Sequence, residues 1–166
     1  MHQIIIKQLE DQDWQIWKRL RLEALKQAPE CFGSSYEEEV TWPDAAFQKT
    51  LSQSDVFGAF KGKSLIACGC FCVLNSIKTK HRGILWGMYT AAPWRGRGVA
   101  SLLLEHLIAH GKMRVTQLHL TCVTSNGAAL ALYQKHGFNI YGTEPQALKV
   151  GDKYFDEHLM VRVVHP

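Results

Sequence analysis

Met88-Tyr89-Thr90-Ala91-Ala92-Pro93-Trp94-Arg95-Gly96-Arg97-Gly98-Val99-Ala100 reads as a strand that runs through a basic, glycine-rich turn into a helix. Upstream, Arg82 to Thr90 is β-rich. Downstream, Val99, Leu102, Leu103, His106, Leu107 and His110 recur near one helical face, which predicts a helix over about 97–110 with Gly111 as its C-cap. Small residues at 96, 98 and 100 let backbone N–H groups approach an anion, and the unpaired amides of a helix N-terminus favour one there. Arg95 and Arg97 add charge-assisted donors. The same residues also suit an ordinary turn with solvated arginines. A triphosphate-binding GxxxxGK[ST] loop is absent, and Ser101 stands where the dinucleotide fingerprint GxGxxG needs its third glycine.

Outward from this turn, Gln3 to Leu9 predicts a strand, and Trp14, Trp17, Leu20, Leu22 and Leu25 a helix that stops before Pro29. Cys31 to Pro43 reads as an irregular, helix-rich loop, with a short helix starting near Pro43 or Asp44. Val56 to Lys61 and Ser64 to Leu74 flank Gly62-Lys63 as a hairpin. Gln117 to Val123 is a strand, Asn126 to His136 a helix ended by Gly137, and Phe138 to Thr143 a strand leading through a loop to Tyr154 to Val163. Helix-separated strands imply a parallel pair and hairpins imply antiparallel neighbours. The expected fold class is mixed α/β, one sheet covered by helices, in a single domain over residues 1–166.

With 166 residues, 46% of them hydrophobic, the chain can bury one substantial core. Its apolar runs are broken by charge long before the roughly 18 residues a bilayer span needs, and no signal-peptide stretch opens the sequence, so a cytoplasmic protein without a membrane partner is expected. Five cysteines, an odd number, suit reduced thiols. The net charge of +4 suits a small anionic ligand and lacks the basic, aromatic-interleaved patch of a nucleic-acid binder. Cys68, Cys70 and Cys72 alternate along a strand, as a soft-metal site or as core thiols. No metal is expected.

A second motif lies downstream of the turn: Asn126-Gly127-Ala128-Ala129-Leu130-Ala131-Leu132-Tyr133-Gln134-Lys135-His136-Gly137-Phe138. Together, Arg95-Gly96-Arg97-Gly98-Val99-Ala100 and this segment resemble the GNAT acetyltransferase superfamily, with its [RQ]-x-x-G-x-[GA] turn and N-x-x-A-x-x-L-Y-x-x-x-G-F helix. The resemblance implies a mostly antiparallel central sheet with a splayed parallel strand pair and flanking helices. It implies acetyl-CoA as co-substrate, its pantetheine arm on the backbone of Met88, Tyr89 and Thr90 and its pyrophosphate at Arg95, Gly96, Arg97, Gly98, Val99 and Ala100. Asn126 would contact the CoA arm, with helix capping as a compatible role. Tyr133 would protonate the departing thiolate, against the plainer reading of a core tyrosine packed on Phe138. Ala92 departs from a proline frequent in the family.

The implied activity is direct acetyl transfer to a primary amine, carried by a small molecule or a peptide, without an acyl-cysteine. A catalytically inactive CoA-binding sensor or scaffold is the alternative. An alkylamine has a pKa near 10.4, so transfer at neutral pH needs a proton acceptor. Related proteins that acetylate protein N-termini often carry glutamate at the position of Thr121, and that acid is missing here. Glu38 is the expected base, within the run Glu37-Glu38-Glu39, followed by Glu144, Asp156 and Glu157. Tyr36 and Trp86 are candidate walls of the acceptor pocket. A homodimer is compatible with the sequence.

Overall fold

The computed structural model of the chain describes residues 3–165. Seven strands, β1 (Ile4–Gln8), β2 (Asp55–Lys61), β3 (Ser64–Val73), β4 (Arg82–Thr90), β5 (Gln117–Val123), β6 (Asn139–Val150) and β7 (Lys153–Val163), form one sheet in the order β1-β2-β3-β4-β5-β7-β6. Neighbours are antiparallel except β4 and β5. This is the expected mixed sheet with one parallel pair.

Two apolar layers cover it. On one face, α1 (Trp14–Gln27) directs Trp17, Leu20 and Ala24 at helical spacing onto the sheet beside Val56, Phe60, Cys68 and Cys70. After the short α2 (Tyr36–Glu39), α3 (Asp44–Gln53) adds Phe47 and Leu51 to the same cluster. On the other face, α4 (Val99–Lys112) buries Leu103, Leu104 and Leu107 completely, and α5 (Gly127–Lys135) contributes Tyr133. Each leucine removed from water stabilises the fold by about 1.5–3 kcal/mol.

Three local details differ from the sequence expectation. Helix α4 begins at Val99 rather than near 97, because Gly96 and Gly98 take left-handed conformations with φ of 71° and 78°. Gly111 lies inside α4 and is buried rather than capping it. A Cβ there would stand 2.7 Å from Leu118 Cδ2 and 3.1 Å from Phe71 Cε2, so this glycine lets the helix approach the sheet closely. Finally, the stretch expected as a loop after Thr143 is mostly strand. Its irregularity is a register shift between Glu144 and Leu148, where Pro145 offers no N–H, Gln146 has φ 51°, and the Gln146 N–H donates to Asp156 Oδ1 at 2.7 Å. Because β6 is the edge strand, proline is tolerated.

Candidate active site

The parallel strands β4 and β5 pair at only three positions, Arg82 with Gln117, Gly83 with Leu118 and Ile84 with His119. Beyond Ile84 they diverge. The cleft so opened is lined on one side by Leu85, Trp86, Gly87 and Met88 and on the other by Leu120, Thr121, Cys122 and Val123. Divergence has a local cause in β4. Trp86 faces Cys70 and Tyr89 faces Cys68, so Gly87 and Met88 together oppose the single residue Gly69, a bulge that bends the strand. Gly87 adopts φ 66°, and a Cβ there would stand 3.3 Å from Cys70 Sγ and 3.5 Å from Arg21 Nη1. Sequence reasoning missed Gly87; a glycine inside the run Leu85-Trp86-Gly87-Met88 was the available signal.

Helix α5 closes the cleft. Asn126 caps it, its Oδ1 accepting from the Ala129 N–H at 3.1 Å, while its Nδ2 lies 3.5 Å from Cys31 Sγ. Asn126, Ala129, Tyr133, Cys31 and Phe32 complete the lining. Tyr133 is 8% exposed and meets Phe138 edge to face at 5.9 Å, a packing contact that leaves its hydroxyl free for either role read from the sequence. Burial, and then the neighbouring Cys122 and Cys31, push its phenol up, which keeps the hydroxyl protonated as a donor. Burial likewise pushes the Cys122 thiol up to about 12. A thiol raised in this way does not suit a thiolate nucleophile at Cys122.

At the end of β4, Gly96 and Gly98 leave open space where a side chain would stand, and the first amides of the 14-residue helix α4 lack a side-chain cap. Arg95 Nε donates to Thr90 O at 2.9 Å and its guanidinium lies over Tyr89; Arg97 lies over Trp94. Both arginines remain exposed. An open backbone cradle, a helix N-terminus and two fixed cations fit a pyrophosphate. Tyr89 and Thr90 pair with β3 and have no partner on β5; Tyr89 Oη donates to Glu23 Oε1 at 3.0 Å.

The acidic candidates separate clearly. Glu37 and Glu38 are exposed on α2, outside the cleft lining, and the Glu38 N–H is held by Ser35 Oγ. Glu39 is buried and paired with Arg21. Asp156 accepts from the β6 bulge. Glu157 Oε1 accepts from Thr121 Oγ1 at 3.2 Å, at the cleft wall. Trp86 lines the cleft, whereas Tyr36 lies outside it under Lys26. Cys68 and Cys70 are core thiols, and no group of three His, Cys, Asp or Glu is placed to hold a metal among the described residues. No helix of the described residues is long and apolar enough to cross a membrane.

Comparison with known proteins places these features in context. Residues 17–138 match the model of the acetyltransferase (GNAT) family. The chain is 37% identical over 81 residues to the L-amino acid N-acetyltransferase AaaT of Escherichia coli K12, a match covering 47% of this chain and 49% of that protein; the chain thus aligns with about half the length of this curated relative. Among solved structures, the fold resembles a GNAT-family acetyltransferase from Streptococcus pneumoniae, with TM-score 0.86 and 23% identity over 98% of this chain and 99% of that one. It also resembles the ribosomal-protein-S18-alanine N-acetyltransferase of Escherichia coli, with TM-score 0.76 and 20% identity over 99% and 96%.

Proposed function

The chain belongs to the acetyltransferase (GNAT) family, and on that premise we propose that it transfers an acetyl group from acetyl-CoA directly to the primary amine of a small molecule or peptide. The observation that carries this reading is the parting of β4 from β5 after Ile84 and His119, which leaves the β4 edge unpaired opposite the buried hydroxyl-bearing Tyr133. A thioester arm laid along that edge finds backbone donors and acceptors from residue 85 onward, through Met88, Tyr89 and Thr90.

The turn binds the other end of the same molecule. Amides of Val99 and Ala100, the backbone at Gly96 and Gly98, and the guanidinium groups of Arg95 and Arg97 take the pyrophosphate. Asn126 offers its amide to the arm while it caps α5. When bound, acetyl-CoA supplies an activated acyl group and a thiol leaving group. Tyr133 holds its proton beside the sulfur position and donates it as the thiol departs, and β4 amides polarise the thioester carbonyl.

An L-amino acid is the proposed acceptor class, supported by the likeness to an L-amino acid N-acetyltransferase. The described cysteines are all free thiols, which suits a reducing compartment, and the cytoplasm is the proposed location. The test is acetyl-CoA with each of the twenty common L-amino acids, spermidine and a peptide with N-terminal alanine, followed by thiol release and product mass. The expected result is an acetylated amine from at least one of these. Acetyl-CoA binding with no thiol release across the panel would favour the sensor or scaffold alternative and contradict the proposal.

A further inference from the structure

We propose that Glu157 is the proton acceptor for the incoming amine, positioned at the cleft by Thr121. This rests on the transfer reaction proposed above and assigns a group that reaction needs. An ammonium cannot attack a thioester, and a carboxylate that reaches the gap between β4 and β5, directly or through one water, can serve as its proton acceptor. Glu39 is occupied by Arg21. Glu37, Glu38 and Glu157 all stand outside the lining itself, and among the described residues neither the Glu37 nor the Glu38 carboxylate hydrogen-bonds a residue that forms it. Glu157 is the carboxylate that hydrogen-bonds a cleft-lining residue among those described.

Sheet register fixes which side it faces. Glu157 is opposite Val123 on β5, and directly paired residues share a face, as do residues two apart; Glu157, Val123 and Thr121 therefore point the same way. Ile84 is opposite His119 across the parallel pair, so Trp86 lies on that face too. That is the face covered by α1 and α3, since Trp86 packs with their cluster. Tyr133 belongs to the cluster on the opposite face. Acid and base thus flank the gap from the two sides of the sheet, which leaves one side for the incoming amine and the other for the departing sulfur.

The surroundings favour a stronger base than a free glutamate. Glu157 is half-buried, and desolvation first, then the Glu144 carboxylate opposite it on β6, raise its carboxyl above the ordinary range, while the Thr121 bond partly opposes them. From β5, Thr121 and Cys122 are the polar groups beside it. Its sequence neighbours point the other way: Asp156 accepts from Gln146 and His158 bonds Thr143.

In the proposed step Glu157 takes one proton from the ammonium. The freed nitrogen pair forms the C–N bond to the thioester carbonyl carbon, and the C–S pair leaves on sulfur. Nitrogen loses its second proton to solvent, Tyr133 protonates the sulfur and is reprotonated by solvent, and Glu157 returns its proton to solvent. The balance is one amide, one thiol and one proton from one ammonium and one thioester.

The experiment compares wild type, Glu157→Gln, Thr121→Val and Glu38→Gln with whichever of the twenty L-amino acids wild type turns over fastest. Glutamine keeps the shape and can still accept from Thr121. Expected for Glu157→Gln are a kcat/KM lower by about 10²–10⁴-fold at pH 7, a rate that climbs tenfold per pH unit toward the pKa of the amine, and unchanged calorimetric affinity for acetyl-CoA. Thr121→Val should give a smaller loss with a displaced acid limb, and Glu38→Gln should match wild type. Wild-type rate and pH profile in Glu157→Gln, or the loss appearing in Glu38→Gln instead, would overturn the assignment while leaving the transfer reaction intact. Should Glu157→Gln fail to fold, an unchanged rate and acid limb in Thr121→Val would overturn it. A wild-type protein that binds acetyl-CoA and acetylates nothing would overturn the reaction and this assignment together.

Discussion

Arg21 on α1 and Glu39 on α2 are joined by two hydrogen bonds, Nε to Oε2 at 3.0 Å and Nη2 to Oε1 at 2.8 Å, with the residues only 5% and 3% exposed. The guanidinium also lies over the rings of Phe32 and Trp86, both of which line the cleft. This pair therefore ties the helical layer to the wall of the proposed acceptor site.

Glu39→Ala leaves a buried guanidinium without its counter-charge, which costs about 3–5 kcal/mol by the usual penalty for breaking such a pair. Urea unfolding should show a lower midpoint with an unchanged slope. Exposed Glu37→Ala, on the same short helix, should stay within about 0.5 kcal/mol of wild type. Equal midpoints for the two variants would contradict the structural role given to Glu39.

Asn126 carries two roles that a pair of substitutions separates. Asn126→Ala removes the cap on the Ala129 N–H and should lower stability by about 0.5–2 kcal/mol. Asn126→Asp keeps an acceptor for that N–H and places negative charge at the helix N-terminus, so stability should hold. It loses the amide donor, and acetyl-CoA affinity should fall in both variants. Wild-type affinity in a folded Asn126→Asp protein would confine Asn126 to capping.

Gly98→Glu tests the turn. The left-handed conformation at this position costs a non-glycine residue about 1–2 kcal/mol, and the new carboxylate would stand in the space left for phosphate oxygens. Calorimetric affinity for acetyl-CoA should fall at least tenfold, against no change in Gln53→Glu at the exposed end of α3. Unchanged affinity in a folded Gly98→Glu protein would remove the pyrophosphate from this turn.

Element order and the anion-binding turn were legible in the sequence because both are local. Periodicity marks which face of α4 is buried, and a glycine-rich basic turn between strand and helix marks an anion cradle wherever it lies. Details set by distant contacts were not legible. Gly111 looked like a helix stop, yet it is a gap for Phe71 and Leu118, residues far away in the chain. The stretch after Thr143 looked like a loop, but it continues the strand through a bulge held by the Asp156 carboxylate, ten residues further on than Gln146. Glu38 and Glu157 were equally visible as acids. Only the pairing of β5 with β7 shows that Glu157 reaches Thr121, and only the Arg21 pair shows what Glu39 does.

Tyr133→Phe tests most directly the claim that acyl transfer takes place in the cleft between β4 and β5. Phenylalanine preserves the edge-to-face contact with Phe138 and deletes the one hydroxyl assigned to the leaving thiolate. Single-turnover acetyl transfer to the amine that wild type turns over fastest, measured beside calorimetric acetyl-CoA affinity, separates chemistry from binding and product release. The predicted result is a transfer rate lower by about 10–10⁴-fold with little change in affinity. A single-turnover rate equal to wild type would contradict the assignment, return Tyr133 to a packing role, and leave the thiolate to be protonated by solvent.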